Sequence, residues 1–171
     1  MEHMLWLDME MTGLDVAKEV PIEIAVQVTN QKLESLETYH AVVKQPQQYL
    51  DNMDEWNKSH HGESGLTALI PSGKDPNIVE SDLLDLADRF WGDEKIVLCG
   101  NSIGQDRLFI DKYFSRFAER LHYRMLDVTA FKLVFNNLYN QKFEKQNTHR
   151  AIEDIQESIN ELKFYLSFIK A

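Results

Sequence analysis

The stretch Leu5–Asn30, LWLDMEMTGLDVAKEVPIEIAVQVTN, decides the fold. In Pro21–Asn30, Ile22, Ile24, Val26 and Val28 alternate with Glu23, Ala25, Gln27 and Thr29. That period of two predicts a strand with one wetter face. Before it, Leu5–Glu10 reads as a short apolar strand, and Thr12-Gly13-Leu14-Asp15 is the turn between them. The third strand is Leu33–Lys44, which ends in Tyr39-His40-Ala41-Val42-Val43. The first strand carries Asp8 and Glu10. Two apart on a strand, their side chains point to one face. On an outer strand such a pair would simply be solvated. Among Leu5, Trp6, Leu7, Met9 and Met11 it requires something positive nearby.

The remainder alternates. Gln47–Ser59 and Pro76–Trp91 read as helices, with a loop over Ile70–Asn77. Lys95–Cys99 is a short buried strand, Asp106–Leu121 an amphipathic helix, Tyr123–Val128 a strand and Thr129–Asn140 a helix. The last helix has one apolar stripe: Ile152, Ile155, Ile159, Leu162, Leu166 and Ile169. Three strands followed by alternating helices and strands predict an α/β fold. Its mixed five-stranded sheet joins a three-strand antiparallel meander to two crossover strands, flanked by helices. With no repeat or long linker, residues 1–171 read as a single domain.

Eighteen basic and 28 acidic residues leave a net charge of −10. That disfavours a protein that tracks long duplex or single-stranded nucleic acid, since such binders present a basic surface. It leaves room for a local pocket that handles one or two phosphates, and carboxylates gathered around cations would explain part of the acidity. The single cysteine, Cys99, excludes an internal disulfide framework and multi-cysteine metal sites. It favours a reducing, cytoplasmic setting. No apolar run approaches the ~18 residues of a membrane span. MEHMLWLDMEM lacks a basic n-region and reads as strand rather than signal peptide.

Two further places could carry chemistry. Asp106 follows LCGNSIGQ, a buried strand that runs into a polar turn. Acids at helix starts often serve as caps, but the carboxyl end of a strand is also where α/β sheets place their sites. Asp154 lies in the first turns of the last helix, with His149 in the turn before it. Oxygen-only ligands such as Asp8, Glu10, Asp106 and Asp154 suit Mg²⁺ or Mn²⁺ rather than zinc. Two such ions can clamp the attacking and leaving oxygens of a phosphoryl transfer. A neutral histidine can then take a proton from the attacking water.

Asp-x-Glu in WLDMEMTGLD, Asp106 in CGNSIGQD, and His149 with Asp154 in THRAIED resemble the three motifs of the DEDDh exonucleases. The phrases MDEWN, SGL, HYRMLDV and THRAIEDIQES extend the likeness along nearly the whole chain, most closely to the oligoribonuclease branch. The resemblance implies a ribonuclease-H-like fold and a 3′-to-5′ exoribonuclease acting on very short RNA, dinucleotides above all, with two divalent cations. Asp8, Glu10, Asp106 and Asp154 would hold the metals, directly or through water, and His149 would be the general base. Leu14 and Trp56 would be the base wedge and stacking face, Ser102 a polar helper near the scissile phosphate, and His61 a further pocket residue. Arg124 and Thr129 would form a 5′-phosphate pocket, with Tyr123 offered by the other subunit of a homodimer. Thr129 stands where most relatives have serine. Leu133–Gln146 lacks the Trp and Pro that relatives often carry there. An RNA-trimming or proofreading exonuclease acting on longer 3′ ends is the alternative. A non-catalytic module that kept the fold is a third, against which the five intact motif residues speak.

Overall fold

The computed structural model of the chain describes residues 2–144 and 150–169. Its strands are β1 (His3–Met11), β2 (Pro21–Asn30), β3 (Ser35–Val42), β4 (Ile96–Gly100) and β5 (Leu121–Asp127). They form a five-stranded sheet in the order β3-β2-β1-β4-β5. β1, β2 and β3 are antiparallel neighbours, while β4 is parallel to β1 and β5 to β4. This is the expected meander with two crossover strands. The helices are α1 (Gln47–Asn52), α2 (Glu55–Glu63), α3 (Leu66–Leu69), α4 (Pro76–Trp91), α5 (Gly104–Tyr113), α6 (Ser115–Ala118), α7 (Val128–Leu138) and α8 (Ala151–Leu166). None of the described helices is long and apolar enough to cross a membrane.

The pleat of β1 divides its side chains between two cores. Leu5, Leu7, Met9 and Met11 pack with Ile24, Val26 and Val28 of β2, against Val79 and Leu83 of α4 and Phe109 of α5. Trp6 points the other way, into a core with Ala25, Cys99 and Ile155, Ile159 and Leu162 of α8. Asp8 and Glu10 share the parity of Trp6 and so face α8, the helix that carries Asp154. A smaller core of Val20, Ile22, Leu50, Met53, Leu66 and Ile70 seats α1 and α3 beside the β1–β2 turn.

The structure corrects several expectations. The alternating face of β2 is not wet: Pro21–Thr29 is buried throughout, because α8 covers Glu23, Ala25 and their neighbours. Thr29 is satisfied there by accepting from Trp6 Nε1 at 3.1 Å. The helix expected over Gln47–Ser59 breaks at Met53, and Asp54 caps the new start by accepting from Asn57 N–H at 2.7 Å. The helix expected over Asp106–Leu121 breaks at Phe114. Glu80 of α4 supplies the second start, its Oε1 accepting from the amides of Arg116 (2.8 Å) and Phe117 (3.3 Å). The apolar stripe of α8 is buried only as far as Leu162, and Leu166 and Ile169 are exposed. Within the expected loop Ile70–Ser72 forms a 3-10 turn, while α4 has the expected bounds.

Gly100 closes β4 where only glycine fits. A Cβ there would stand 2.8 Å from the Leu7 carbonyl oxygen and 2.9 Å from Ile103 Cδ1. This close approach brings the turn after β4, and with it Asp106, against β1.

Candidate active site

One oxygen each of Asp8, Glu10 and Asp154 lies within 4.8 Å of the others. Two come from adjacent inward positions of β1 and one from the first turn of α8, where the helix dipole favours a carboxylate. Asp106 reaches the same strand from α5. It is 6% exposed, and its Oδ1 accepts from the Met9 amide, between the two β1 acids, at 3.0 Å. Three of the four expected carboxylates thus form one cluster and the fourth abuts it. His149 lies outside the described residues.

These acids repel one another. Burial, reinforced by Asp154, Glu23 and Asp106, pushes the Glu10 carboxyl up to about 8, against the pull of the Arg150 charge. Burial also drives Asp106 up to about 7, against the hydrogen bonds that it accepts. Such a donor set, all oxygen and short of positive charge, fits divalent cations.

Glu23 shows the contrast. It sits directly across the ladder from Glu10 and is fully buried. Its carboxylate accepts from Arg150 Nε (3.0 Å) and Nη2 (2.7 Å), from the Ala151 amide (3.2 Å) and from His40 Nε2 (2.7 Å). Burial would raise this acid, but the bonds from His40, Arg150 and Ala151 outweigh it and hold the carboxyl at about 2. The clamp fixes the start of α8, and hence Asp154, on β2. Glu23 and His40 were not singled out in the sequence. The signal was there, in an acid opposite Glu10 on a strand that proves buried on both faces.

The expected substrate residues fall into three groups. Leu14 and Trp56 are not core: they are 74% and 64% exposed. With Glu10, Asp54 and Asn57 they line a cavity of about 440 Å³. His60 stacks on Trp56, with centroids 4.5 Å apart and planes at 14°. The Leu14 turn is tied to α5 by Gln105 Nε2, which donates to the Leu14 carbonyl (2.7 Å), and by Lys112 Nζ, which donates to the Val16 carbonyl (2.5 Å). His61 is buried beside Glu10. Its Nε2 lies 2.9 Å from the Met11 carbonyl, so that nitrogen carries the hydrogen. Nδ1 is left as a buried acceptor, 3.9 Å from Glu10 Oε2 and without a hydrogen-bond partner. Burial lowers the His61 pKa, which keeps the ring neutral.

Ser102 and Thr129 meet at the ends of β4 and β5. The Ser102 amide donates to Thr129 Oγ1 and to Asp127 Oδ1, both at 2.9 Å, and the two hydroxyls are 3.2 Å apart. Ser102 holds a left-handed φ of 50°, a strain of roughly 1–2 kcal/mol that these bonds retain. Tyr123 and Arg124 form a separate, exposed pair on edge strand β5, with the guanidinium 5.2 Å from the ring centroid. Cys99 is buried with its thiol pushed up to about 12, which excludes it as a nucleophile.

Residues 5–162 match the exonuclease family. The chain is 44% identical over 169 residues to the oligoribonuclease of Francisella tularensis subsp. tularensis (strain WY96-3418), covering 96% of this chain and 94% of that protein. The chain belongs to the oligoribonuclease family. A mitochondrial oligoribonuclease of Homo sapiens is 39% identical over 173 residues, covering 96% of this chain and 72% of its own length. Among solved structures, E. coli exonuclease I in complex with a dA16 oligonucleotide superposes with a TM-score of 0.76 at 14% identity. It aligns with 98% of this chain, which spans 41% of the exonuclease I chain. That likeness places the sheet and its helices in the ribonuclease-H-like fold. Membership of the oligoribonuclease family makes the protein a metal-dependent exoribonuclease, a phosphodiester hydrolase.

Two outcomes follow from the electrostatics. Glu10 has a folded pKa above its unfolded value, so metal-free protein loses stability as pH rises from about 4.5 to 8. In urea unfolding without metal, Glu10→Gln should exceed wild type by at least about 1 kcal/mol at pH 8 and match it near pH 5. A gap independent of pH would contradict the crowded-carboxylate account. Glu23 has the opposite sign: its stabilisation is present above about 4.5 and lost as pH falls toward about 2. Glu23→Gln should therefore cost about 3 kcal/mol at pH 7, because Arg150 loses its buried partner. The same unfolding series should show this cost shrinking below pH 4.

Proposed function

We propose that the protein removes nucleotides from the 3′ ends of very short RNAs, dinucleotides above all, by two-metal hydrolysis with His149 as general base. The observation that carries this reading is the Asp8–Glu10–Asp154 cluster at the edge of a cavity walled by exposed Leu14 and Trp56. A leucine wedge and an indole face hold any base, because every base has a stackable face. His60 backs the indole and keeps it from turning.

Two cations, Mg²⁺ or Mn²⁺, held by Asp8, Glu10, Asp154 and, directly or through water, Asp106, would supply charge neutralisation and Lewis acidity at the scissile phosphate. The protein's own residues do the rest. Leu14 and Trp56 fix the bases, His149 accepts the proton of the attacking water, and Ser102 orients the phosphate. Arg124 and Thr129 receive the 5′-phosphate, the former as a planar fork of donors.

In this reading two copies form a homodimer, with Tyr123 contributed across the interface, in a cytoplasmic setting. Leu133, Val134, Leu138 and Tyr139 of α7 and its end are exposed, as are Phe168 and Ile169. A groove of about 390 Å³ runs between Val134, Tyr139 and Ile169. An apolar face of this extent supports burial against a second copy.

The test follows 5′-labelled RNAs of two to seven nucleotides over time with Mg²⁺ or Mn²⁺, resolving every product length. The expected result is fastest loss of the dinucleotide. Ready loss of longer chains with accumulating dinucleotide would keep the acidic site, remove the phosphate pocket and favour a trimming enzyme. With chemistry rate-limiting, the rate should rise with pH through the His149 pKa. A flat profile from pH 5.5 to 8.5 would remove His149 as base.

A further inference from the structure

Asn101 stands one residue past β4, in the turn that leads to Ser102 and Asp106. Its amide nitrogen donates to Ser158 Oγ at 2.8 Å and to Glu161 Oε2 at 3.1 Å, both on α8. Its side-chain oxygen accepts from Thr129 Oγ1 at 3.4 Å. The Ser158 hydroxyl donates in turn to the Asp154 carbonyl at 2.9 Å. Glu161 is fully buried, and its other oxygen accepts from the Tyr165 hydroxyl at 3.1 Å.

A buried carboxylate away from the metal cluster is costly, and its partners show what it does. Glu161 Oε2 accepts from Asn101, so the side of Asn101 facing Glu161 is the amide nitrogen. The Asn101 oxygen is thereby turned toward Thr129, whose hydroxyl must donate to it. Thr129 Oγ1 then receives the Ser102 amide on a lone pair. The chain of bonds runs from the backbone of Asp154, through Ser158 and Asn101, to the hydroxyl pair Thr129–Ser102. It joins one edge of the acidic cluster to the end of the site assigned above to the 5′-phosphate.

We propose that Asn101, oriented by Glu161, is a positioning residue that holds Thr129 at a fixed spacing from the Asp154 helix and so sets the length of RNA the site prefers. The proposal rests on the phosphate-pocket reading of Thr129. A fixed spacing rewards a substrate whose 5′-phosphate and scissile phosphate fit both ends at once. A longer chain cannot place its 5′-phosphate in the pocket and gains nothing from the spacing.

The experiment measures kcat/KM for a 5′-phosphorylated dinucleotide and a tetranucleotide with wild type, Asn101→Ala, Thr129→Ala, Glu161→Gln and the Asn101→Ala, Thr129→Ala double variant. Asn101→Ala should lower the dinucleotide-to-tetranucleotide ratio about tenfold, chiefly through KM on the dinucleotide. Glu161→Gln keeps an acceptor for Asn101 and should stay within about twofold of wild type. The double variant should lose no more selectivity than Thr129→Ala alone, since both act on one contact. Should Asn101→Ala not fold, Asn101→Ser, too short to reach Thr129, carries the same comparison. A folded Asn101 variant with the wild-type ratio, or additive losses in the double variant, overturns the positioning role alone. A wild-type enzyme with no preference for the dinucleotide overturns the phosphate-pocket reading, and the positioning role with it.

Discussion

Glu10 and Glu23 face each other across the β1–β2 ladder, and the rest of the site follows from how that repulsion is resolved. Like charges directly opposite on adjacent strands are unfavourable. The close hydrogen bonds go to Glu23: Arg150 and His40 close on its carboxylate. Glu10 is left among Asp8, Asp154 and Asp106 with burial raising its pKa. The helix that brings Arg150 to neutralise Glu23 also brings Asp154 to crowd Glu10. One element both anchors itself to the sheet and creates the deficit of positive charge that a cation fills.

Such an arrangement persists because apolar packing outweighs it. Trp6, Ala25 and Cys99 form the floor on which Ile155, Ile159 and Leu162 of α8 sit. Each buried aliphatic side chain contributes about 2 kcal/mol, enough together to hold crowded carboxylates and a left-handed Ser102 in place. The same packing sets the geometry. Strand period puts Asp8 and Glu10 on the face of Trp6, and helical period puts Asp154 beside the buried stripe of α8.

The parts readable in the sequence were those set by local period. Asp8 and Glu10, two apart, and Ile155, Ile159 and Leu162, at helical spacing, announce their faces without knowledge of the partner. Asp106 was readable from the strand and polar turn before it. What could not be read depends on residues distant in the chain. The break at Phe114 exists because Glu80 caps α6 from another helix. The polar face of β2 is dry because α8, more than a hundred residues later, lies over it. Asn101 is quoted in a motif, but its orientation depends on Glu161, sixty residues on. Asp54 differs: its cap is local, and an acid three residues before Asn57 could have marked the break. The exposure of Leu166 and Ile169 could not be read from the stripe, since amphipathic spacing says which side is apolar and not what covers it.

The overall charge bears on substrate length. A chain with a net charge of −10 repels a polyanion at long range, so a nucleic acid must be held where local donors outweigh that field. On the proposed reading such donors stand at two ends: the acidic cluster, once it holds cations, and the 5′-phosphate pocket of Arg124 and Thr129. On the same reading Leu14 and Trp56, which line the cavity beside Glu10, would hold bases without charge. Each nucleotide beyond those two ends adds a phosphate that must lie against an acidic surface with no further pocket assigned to it. On that reading electrostatics would favour the shortest RNA that reaches both ends, and a geometry that keeps the ends at one spacing would sharpen the preference.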